Sequence, residues 1–378
     1  MRETAAEKRA AEPPLMAPGQ GPPRGGWNQV WSRARKVVRG VGRSPALLAV
    51  VAGVAAGTLL MLFAGYNPVA AYTALFRGAV EGPNLSDSVN RAAPIVGMGM
   101  CAAIALRAGL VNLGGEGQLV LGGMAAAMVA IYAPLPGPLL ILSAILAAAI
   151  AGGLYGALAA VFDRWGVPLL IGTLLMNYPA RQATSYLARY PLRDITSGNP
   201  ETHRIADNAH LPAVLPGGQV TIGLLIVAAI VLVALYVNRQ TPIGLEIRLA
   251  GLSPRFARYS GVHLGRMAIQ VMFAAGACGG IVGAILVLGS EFRFIDGNLI
   301  IPAYTWIGLM AALLARSNPL GVAMAGTFFA ALQIGAFGME ATTDVPREMS
   351  QVLQALIILF LAVRMRFALR ASEREAET

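Results

Sequence analysis

The stretch "VTIGLLIVAAIVLVALYV", Val220 to Val237, runs 18 residues without a charge. As a helix it reaches the roughly 18–20 residues that cross a bilayer. A strand or a soluble core helix has no need of so long an unbroken apolar run. Period-2 alternation, the mark of a membrane barrel, is missing from it. The reading that follows is a chain built from membrane-spanning helices.

The rest of the sequence agrees. Of its 378 residues, 56% are hydrophobic and only 13% are charged, with a mean hydropathy of +0.62. Soluble domains carry about twice that charge. The 44 glycines fall mostly inside apolar runs. Small residues let helices approach closely in lipid, where packing drives association. Cys101 and Cys278 also lie inside apolar runs and read as small packing residues, not a disulfide framework.

Ten spans are expected, at roughly 45–65, 91–106, 112–132, 138–162, 168–189, 219–237, 266–289, 300–316, 318–338 and 349–366. Longer connections lie at 66–90, 191–219 and 238–266. The net charge of +10 is unevenly placed. Residues 1–44 hold nine Lys/Arg against three Glu. The 238–266 connection holds Arg239, Arg248, Arg255, Arg258 and Arg266 against Glu246, and Arg364, Arg366 and Arg370 lie at and beyond the end of the last span. The connections on the other side mix their signs. This is the positive-inside pattern, with both termini in the cytoplasm. It accounts for the basic balance without nucleic acid.

Three regions follow from these boundaries. Residues 1–44 are a basic cytoplasmic tail, disordered over the Pro/Gly-rich first 26. Trp27 and Trp31 then open either an interfacial helix or a plain basic flank. Residues 45–366 are the transmembrane domain, and 367–378 a cytoplasmic tail. The apolar segment starts near Ser44 with no small-residue cleavage site behind it, so no cleaved signal peptide is expected.

Three segments carry more than hydrophobicity. In "VNLGGEGQ" (Val111–Gln118), Glu116 is the one charged residue between Ala108 and Phe162. An acid at membrane depth is costly unless paired or hydrated. Glycines there predict a broken helix whose backbone faces protein or water. Glu116 therefore either braces the broken helix or lines a polar path beside Asn112 and Gln118. In "LLIGTLLMNYPARQATSYL", Asn177 and Tyr178 precede Pro179 in mid-span, where a break is expected. Asn177 reads equally as interhelical glue or as a path residue. Third, "TPIGLEIRLAGLSPRFARYSGVHLGR" (Thr241–Arg266) is basic and amphipathic. Its Gly244, Gly251, Pro254 and Gly261 predict short helices between turns, suited to a groove in a partner.

With "GLVNLGGEGQLVLG" (Gly109–Gly122) stand "TLLMNYPA" (Thr173–Ala180), "PLRD" (Pro191–Asp194) and "GLEIRLAGLSPRFARYSGV" (Gly244–Val262). "GGIVGAILVLGSEFRF" (Gly279–Phe294) and "ARSNPLGVAMAGTFFAALQIGA" (Ala315–Ala336) follow in order. Over about residues 45–366 the set resembles permease subunits of bacterial ABC importers of the ribose and branched-chain amino-acid superfamily. The branch it is most similar to handles nucleosides and simple sugars. One departure is "PAYTWIGLMAALLAR" (Pro302–Arg316), where that branch is richer in glycine; Trp306 would narrow or reshape the path.

The resemblance implies a multi-pass subunit of a bacterial inner membrane, without catalysis or cofactor of its own. ATP and Mg would be held by a cytoplasmic ATPase, and this chain has no G-x-x-x-x-G-K-[ST] loop. A second permease, a paralogue, would complete the path. A binding lipoprotein would deliver cargo near 191–219 and 292–298. Membrane lipid would surround the rest. The substrate path would involve Asn112, Glu116, Gln118, Asn177, Tyr178 and Trp306. The ATPase coupling surface would involve Glu246, Arg248, Gly251, Pro254, Arg255 and Arg258.

Two other classes compete. A secondary transporter driven by an ion gradient needs intramembrane acids, and Glu116 alone stands clearly in a span. An intramembrane enzyme needs a nucleophile–base pair or paired carboxylates within the spans. His203, His210 and His263 all fall in connections, where histidines are mostly solvated. A metal on His203 and His210 is not expected.

Overall fold

A computed structural model describes residues 45–82, 84–214, 220–357 and 359–360. The basic tail, its interfacial helix, the C-terminal tail and the end of the tenth expected span lie outside these residues. The chain divides into two units, Met1–Leu48 and Ala49–Thr378; the second is described below.

Among the described residues the structure is helical, with no sheet and three isolated bridges. The helices are α1 (Pro45–Phe63), α2 (Pro68–Val80), α3 (Asn84–Arg107), α4 (Gly115–Tyr132), α5 (Gly137–Arg164) and α6 (Leu169–Arg189). There follow α7 (Gly223–Gln240), α8 (Pro242–Leu252), α9 (Pro254–Tyr259) and α10 (Leu264–Leu286), which continues as a π turn over Val287–Glu291. Then come α11 (Tyr304–Leu314) and α12 (Pro319–Thr342). Residues 348–357 are helical as well. Among the described residues six helices are long and apolar enough to cross a membrane: α3, α4, α5, α7, α10 with its π turn, and α12. The chain is a polytopic helical membrane protein. Each of the ten expected spans overlaps a helix.

The core is a pair of buried helices, α3 and α10, with the others around them. Apolar on nearly every side, both are covered on nearly every side. Close approach depends on glycine. A Cβ at Gly280 would sit 2.0 Å from the Ala148 carbonyl oxygen, and one at Gly276 2.2 Å from that of Gly152. These contacts seam α5 to α10. A second seam joins α3 to α11, where a Cβ on Gly308 would lie 2.5 Å from the Gly99 nitrogen. No other residue type permits such separations without moving a helix.

Three expectations need correction. The 66–90 connection is not simply loop, since it contains α2. Asn67 caps that helix, accepting hydrogen bonds from the Val69 and Ala70 nitrogens at 3.0 and 3.3 Å, and Pro68 occupies its first turn. Pro179 does not break its helix; α6 runs through it. The glycines Gly115, Gly117, Gly122 and Gly123 are contact points inside α4, not its break. The break lies before them, at Gly109–Gly114.

Candidate functional site

The break is built in steps. α3 ends in a Schellman turn: the Gly109 nitrogen donates to the Leu106 carbonyl at 3.0 Å and Leu110 to Ala105 at 3.1 Å. Gly109 holds φ +75°, the left-handed conformation this turn needs. Residues 110–113 then run without helical bonding, so their backbone groups need partners elsewhere. α6 supplies them. Thr173 Oγ1 accepts from the Leu113 nitrogen at 3.1 Å, and Asn177 Nδ2 donates to the Leu113 carbonyl at 2.8 Å. Asn177 Oδ1 also accepts from the Gly117 nitrogen at 2.9 Å, one of the orphan donors of α4's first turn.

Asn112 and Gln118 close the other side. Their amides pair twice: Asn112 Nδ2 donates to Gln118 Oε1 at 3.0 Å, and Gln118 Nε2 to Asn112 Oδ1 at 3.2 Å. Asn112 Oδ1 further accepts from the Gly114 nitrogen at 3.0 Å. The Cys101 thiol donates to Gln118 Oε1 at 3.3 Å. Asn112, Gln118 and Asn177 are all buried. They form a satisfied polar knot around the break.

Glu116 lies in the first turn of α4 but outside the knot. Its Oε1 accepts a 2.7 Å hydrogen bond from Trp306 Nε1, and Trp306 is 37% exposed. The start of a helix favours a carboxylate electrostatically. Next to Trp306, the Thr305 hydroxyl is buried without a hydrogen-bond partner. Tyr178 is not brought to this group. It is 64% exposed on the open face of α6, although its neighbour Asn177 is buried.

That open face extends further. Tyr178, Arg181, Gln182, Ser185 and Arg189 recur at helical spacing, which places them in one stripe. It ends at a cavity of about 310 Å³ between α6 and the segment around Phe294–Ile300. Arg181 was not singled out from sequence. Its signal is plain in hindsight: an arginine in the interior of an expected span.

The six residues expected to meet the ATPase lie together. Glu246, Arg248 and Gly251 are on α8, and Pro254, Arg255 and Arg258 on α9; all six are exposed. Thr241 Oγ1 caps α8 by accepting from the Gly244 nitrogen at 3.2 Å, and Ser253 Oγ caps α9 from Phe256 at 3.3 Å. A proline follows each cap. The expected short helices are present, but two of the expected turn glycines are contact points. A Cβ at Gly244 would lie 2.1 Å from the Val237 carbonyl oxygen, and one at Gly251 2.3 Å from that of Arg107. Gly251 thus rests on the end of α3, two residues before the Gly109 turn. Ala108, Ala250, Ala257, Met267 and Val271 form the core beneath. On the outside, Leu252, Phe256 and Tyr259 stand exposed.

At the cavity's end of α6, the two segments expected to receive a binding protein are joined. The Thr202 nitrogen donates to the Phe294 carbonyl and Ile205 to Phe292, each at 2.9 Å. Arg293 pairs with buried Glu201. In the same loop, the Thr196 hydroxyl and nitrogen hold the Asp194 carboxyl below its usual range, at 2.6 and 2.9 Å. The π turn and the left-handed Phe292 (φ 55°) shape the entry to this cap.

Residues 84–362 match the family described as "Branched-chain amino acid transport system / permease component". The glucose ABC transporter permease protein of Haloferax volcanii is 32% identical over 327 residues, 83% of this chain and 86% of its own. Two guanosine ABC transporter permease proteins of Bacillus subtilis also match. One is 30% identical over 324 residues, 84% of this chain and 92% of its own. The other is 22% identical over 253 residues, 63% of this chain and 76% of its own. With its glycine-seamed helices, its braced break and its paired short helices, this chain belongs to the family of permease components of the branched-chain amino acid transport system.

Proposed function

We propose that the chain is the permease subunit of an ATP-driven importer for nucleosides or related simple sugars, in a bacterial inner membrane. The observation that carries the reading is the seat of Gly251 on the end of α3. It sets the α8–α9 surface against the turn that leads to the polar knot and to Glu116. Movement imposed on α8 from outside reaches the break through backbone contact, without a flexible linker.

The mechanism is alternating access. An ATPase holding ATP and Mg docks on α8–α9, where Leu252, Phe256 and Tyr259 offer apolar contact beside Arg248, Arg255 and Arg258. Its closure shifts the end of α3 against α4 and α6. Glu116, Trp306 and Tyr178 face the path. Asn112, Gln118 and Asn177 hold the break in register. The arginines of the 238–266 connection support placing this end in the cytoplasm, with ten spans and both termini inside. The joined segments 190–214 and 292–300 then face outward and receive a binding lipoprotein.

A second permease subunit completes the path, and a paralogue is the natural choice: Bacillus subtilis carries two related guanosine permeases. The polar stripe of α6 supports a partner facing it across a polar path, because Arg181 and Gln182 facing lipid would be costly. The ion-gradient reading is not favoured, since the relatives are ABC permeases by name.

Co-expression with the neighbouring ATPase and second permease tests the proposal. A stable complex whose ATP hydrolysis rises with binding protein and nucleoside is the expected result. A chain that captures no ATPase would contradict it.

A further inference from the structure

We infer that the cavity at the end of α6 is a subsite for the vicinal hydroxyls of the cargo's sugar ring, and that Arg181 is its specificity-determining residue. The inference rests on the importer reading and adds a recognition element within the permease itself.

The cavity's size, about 310 Å³, sits at the lower end of small-molecule sites. Its charges are unequally satisfied. Arg189 pairs with Asp296 at 2.8 Å, and Ser185 Oγ donates to the same Asp296 oxygen, Oδ2, at 2.8 Å. These three groups settle one another. The Arg181 guanidinium lines the same cavity and makes no hydrogen bond or ion pair among the described residues. Gln182 beside it has a side-chain amide without a partner there, and Asp296 Oδ1 is open as an acceptor.

The free groups define the ligand. A guanidinium is a rigid fork of N–H donors that suits two adjacent oxygens. Two neighbouring ring hydroxyls present such a pair. Their protons need acceptors, and Asp296 Oδ1 and the Gln182 carbonyl oxygen supply them. A nucleobase fits this cavity less well. Bases are held by open aromatic faces, and the one aromatic residue lining the cavity, Phe294, is 2% exposed. Tyr178, one turn along the same stripe and 64% exposed, is the aromatic surface a base would meet. The cavity therefore reads the part that nucleosides and simple sugars share.

The test uses the complete complex in proteoliposomes, with ATP inside for ATPases facing inward and binding protein outside. Initial uptake of a ribonucleoside is compared with that of its 2′,3′-dideoxy analogue, for the unaltered permease, Arg181→Gln and Arg181→Lys. The same binding protein is used throughout, so its own preference cancels between variants. Arg181→Gln should lower ribonucleoside uptake roughly tenfold, the worth of one charge-assisted hydrogen bond, and leave the dideoxy analogue unchanged. Arg181→Lys keeps the charge, loses the fork and should fall nearly as far. Equal loss of both cargoes, full rescue by lysine, or an unchanged ratio in an active complex would overturn the subsite alone. Competition by ribose 5-phosphate but not by ribose would overturn it in favour of an anion site. Absence of ATP-driven uptake in the unaltered complex would overturn the importer reading, and the subsite with it.

Discussion

Trp306 Nε1 donates a 2.7 Å hydrogen bond to Glu116 Oε1, tying the first turn of α11 to the first turn of α4. The single acid in a 55-residue uncharged stretch is thus neither buried nor unpartnered. A carboxylate at a helix start, held by an indole on a neighbouring helix, is a contact that relative movement of α4 and α11 makes or breaks. Trp306→Phe removes the donor and keeps an aromatic ring. Uptake by the full complex should fall about tenfold or more, in line with about 1.5–3 kcal/mol for a hydrogen bond to a charged group. Glu116→Gln, which retains an acceptor, should cost less than Glu116→Ala. Unchanged uptake for all three would remove the pair from the path.

Asn177, on α6, satisfies two backbone groups at the start of α4, the buried Gly117 nitrogen and the half-buried Leu113 carbonyl. Replacement by leucine strands both. The expected cost is about 2–6 kcal/mol, one desolvation penalty for each group. Thermal unfolding of the purified complex in detergent should show a clear drop in midpoint. A variant that unfolds at the unaltered temperature would mean that the 110–114 segment is not held from α6.

Gly251 gives a sharper separation. A Cβ there meets the Arg107 carbonyl oxygen at 2.3 Å, and backbone has little room to yield. Gly251→Ala should lift α8 off the end of α3 while leaving the exposed faces of α8 and α9 in place. The ATPase should still co-purify, and stimulation of its turnover by loaded binding protein should be lost. Normal stimulation would show that the force passes elsewhere.

Gly280 tests the core seam. A Cβ at 2.0 Å from the Ala148 carbonyl oxygen must push α10 from α5. Overpacking of this kind costs about 1–3 kcal/mol, and more where backbone is the obstacle. Gly280→Val should yield little folded protein by size-exclusion chromatography. A well-folded variant would contradict the close approach.

Much of this arrangement was legible beforehand. The ten expected stretches each overlap a helix, and among the described residues length and hydropathy alone single out six as long and apolar enough to cross a membrane. α8 and α9 were foreseeable from their punctuation, since Thr241–Pro242 and Ser253–Pro254 each join a capping hydroxyl to a first-turn proline. α2 was hidden: it has 13 residues, too short to cross, and is held by a glycine contact with α12, Gly78 against Gly338. Such pairing has no local signature. Gly115 and Gly117 were misread as helix breakers because glycine has two uses, freedom of φ and absence of Cβ, and only neighbours tell them apart. Between Gly109 and Gly123, only Gly109 uses the left-handed conformation. The polar knot was visible as residue types but not as partners, because Asn177 lies about 60 residues from the groups it satisfies.

The most direct test is uptake in proteoliposomes holding this chain, its second permease and the ATPase, with loaded binding protein on the outside. Nucleoside accumulation that requires ATP, persists when ionophores collapse every ion gradient, and disappears with Gly251→Ala is the result predicted. Accumulation that follows an ion gradient and proceeds without ATP would contradict the account.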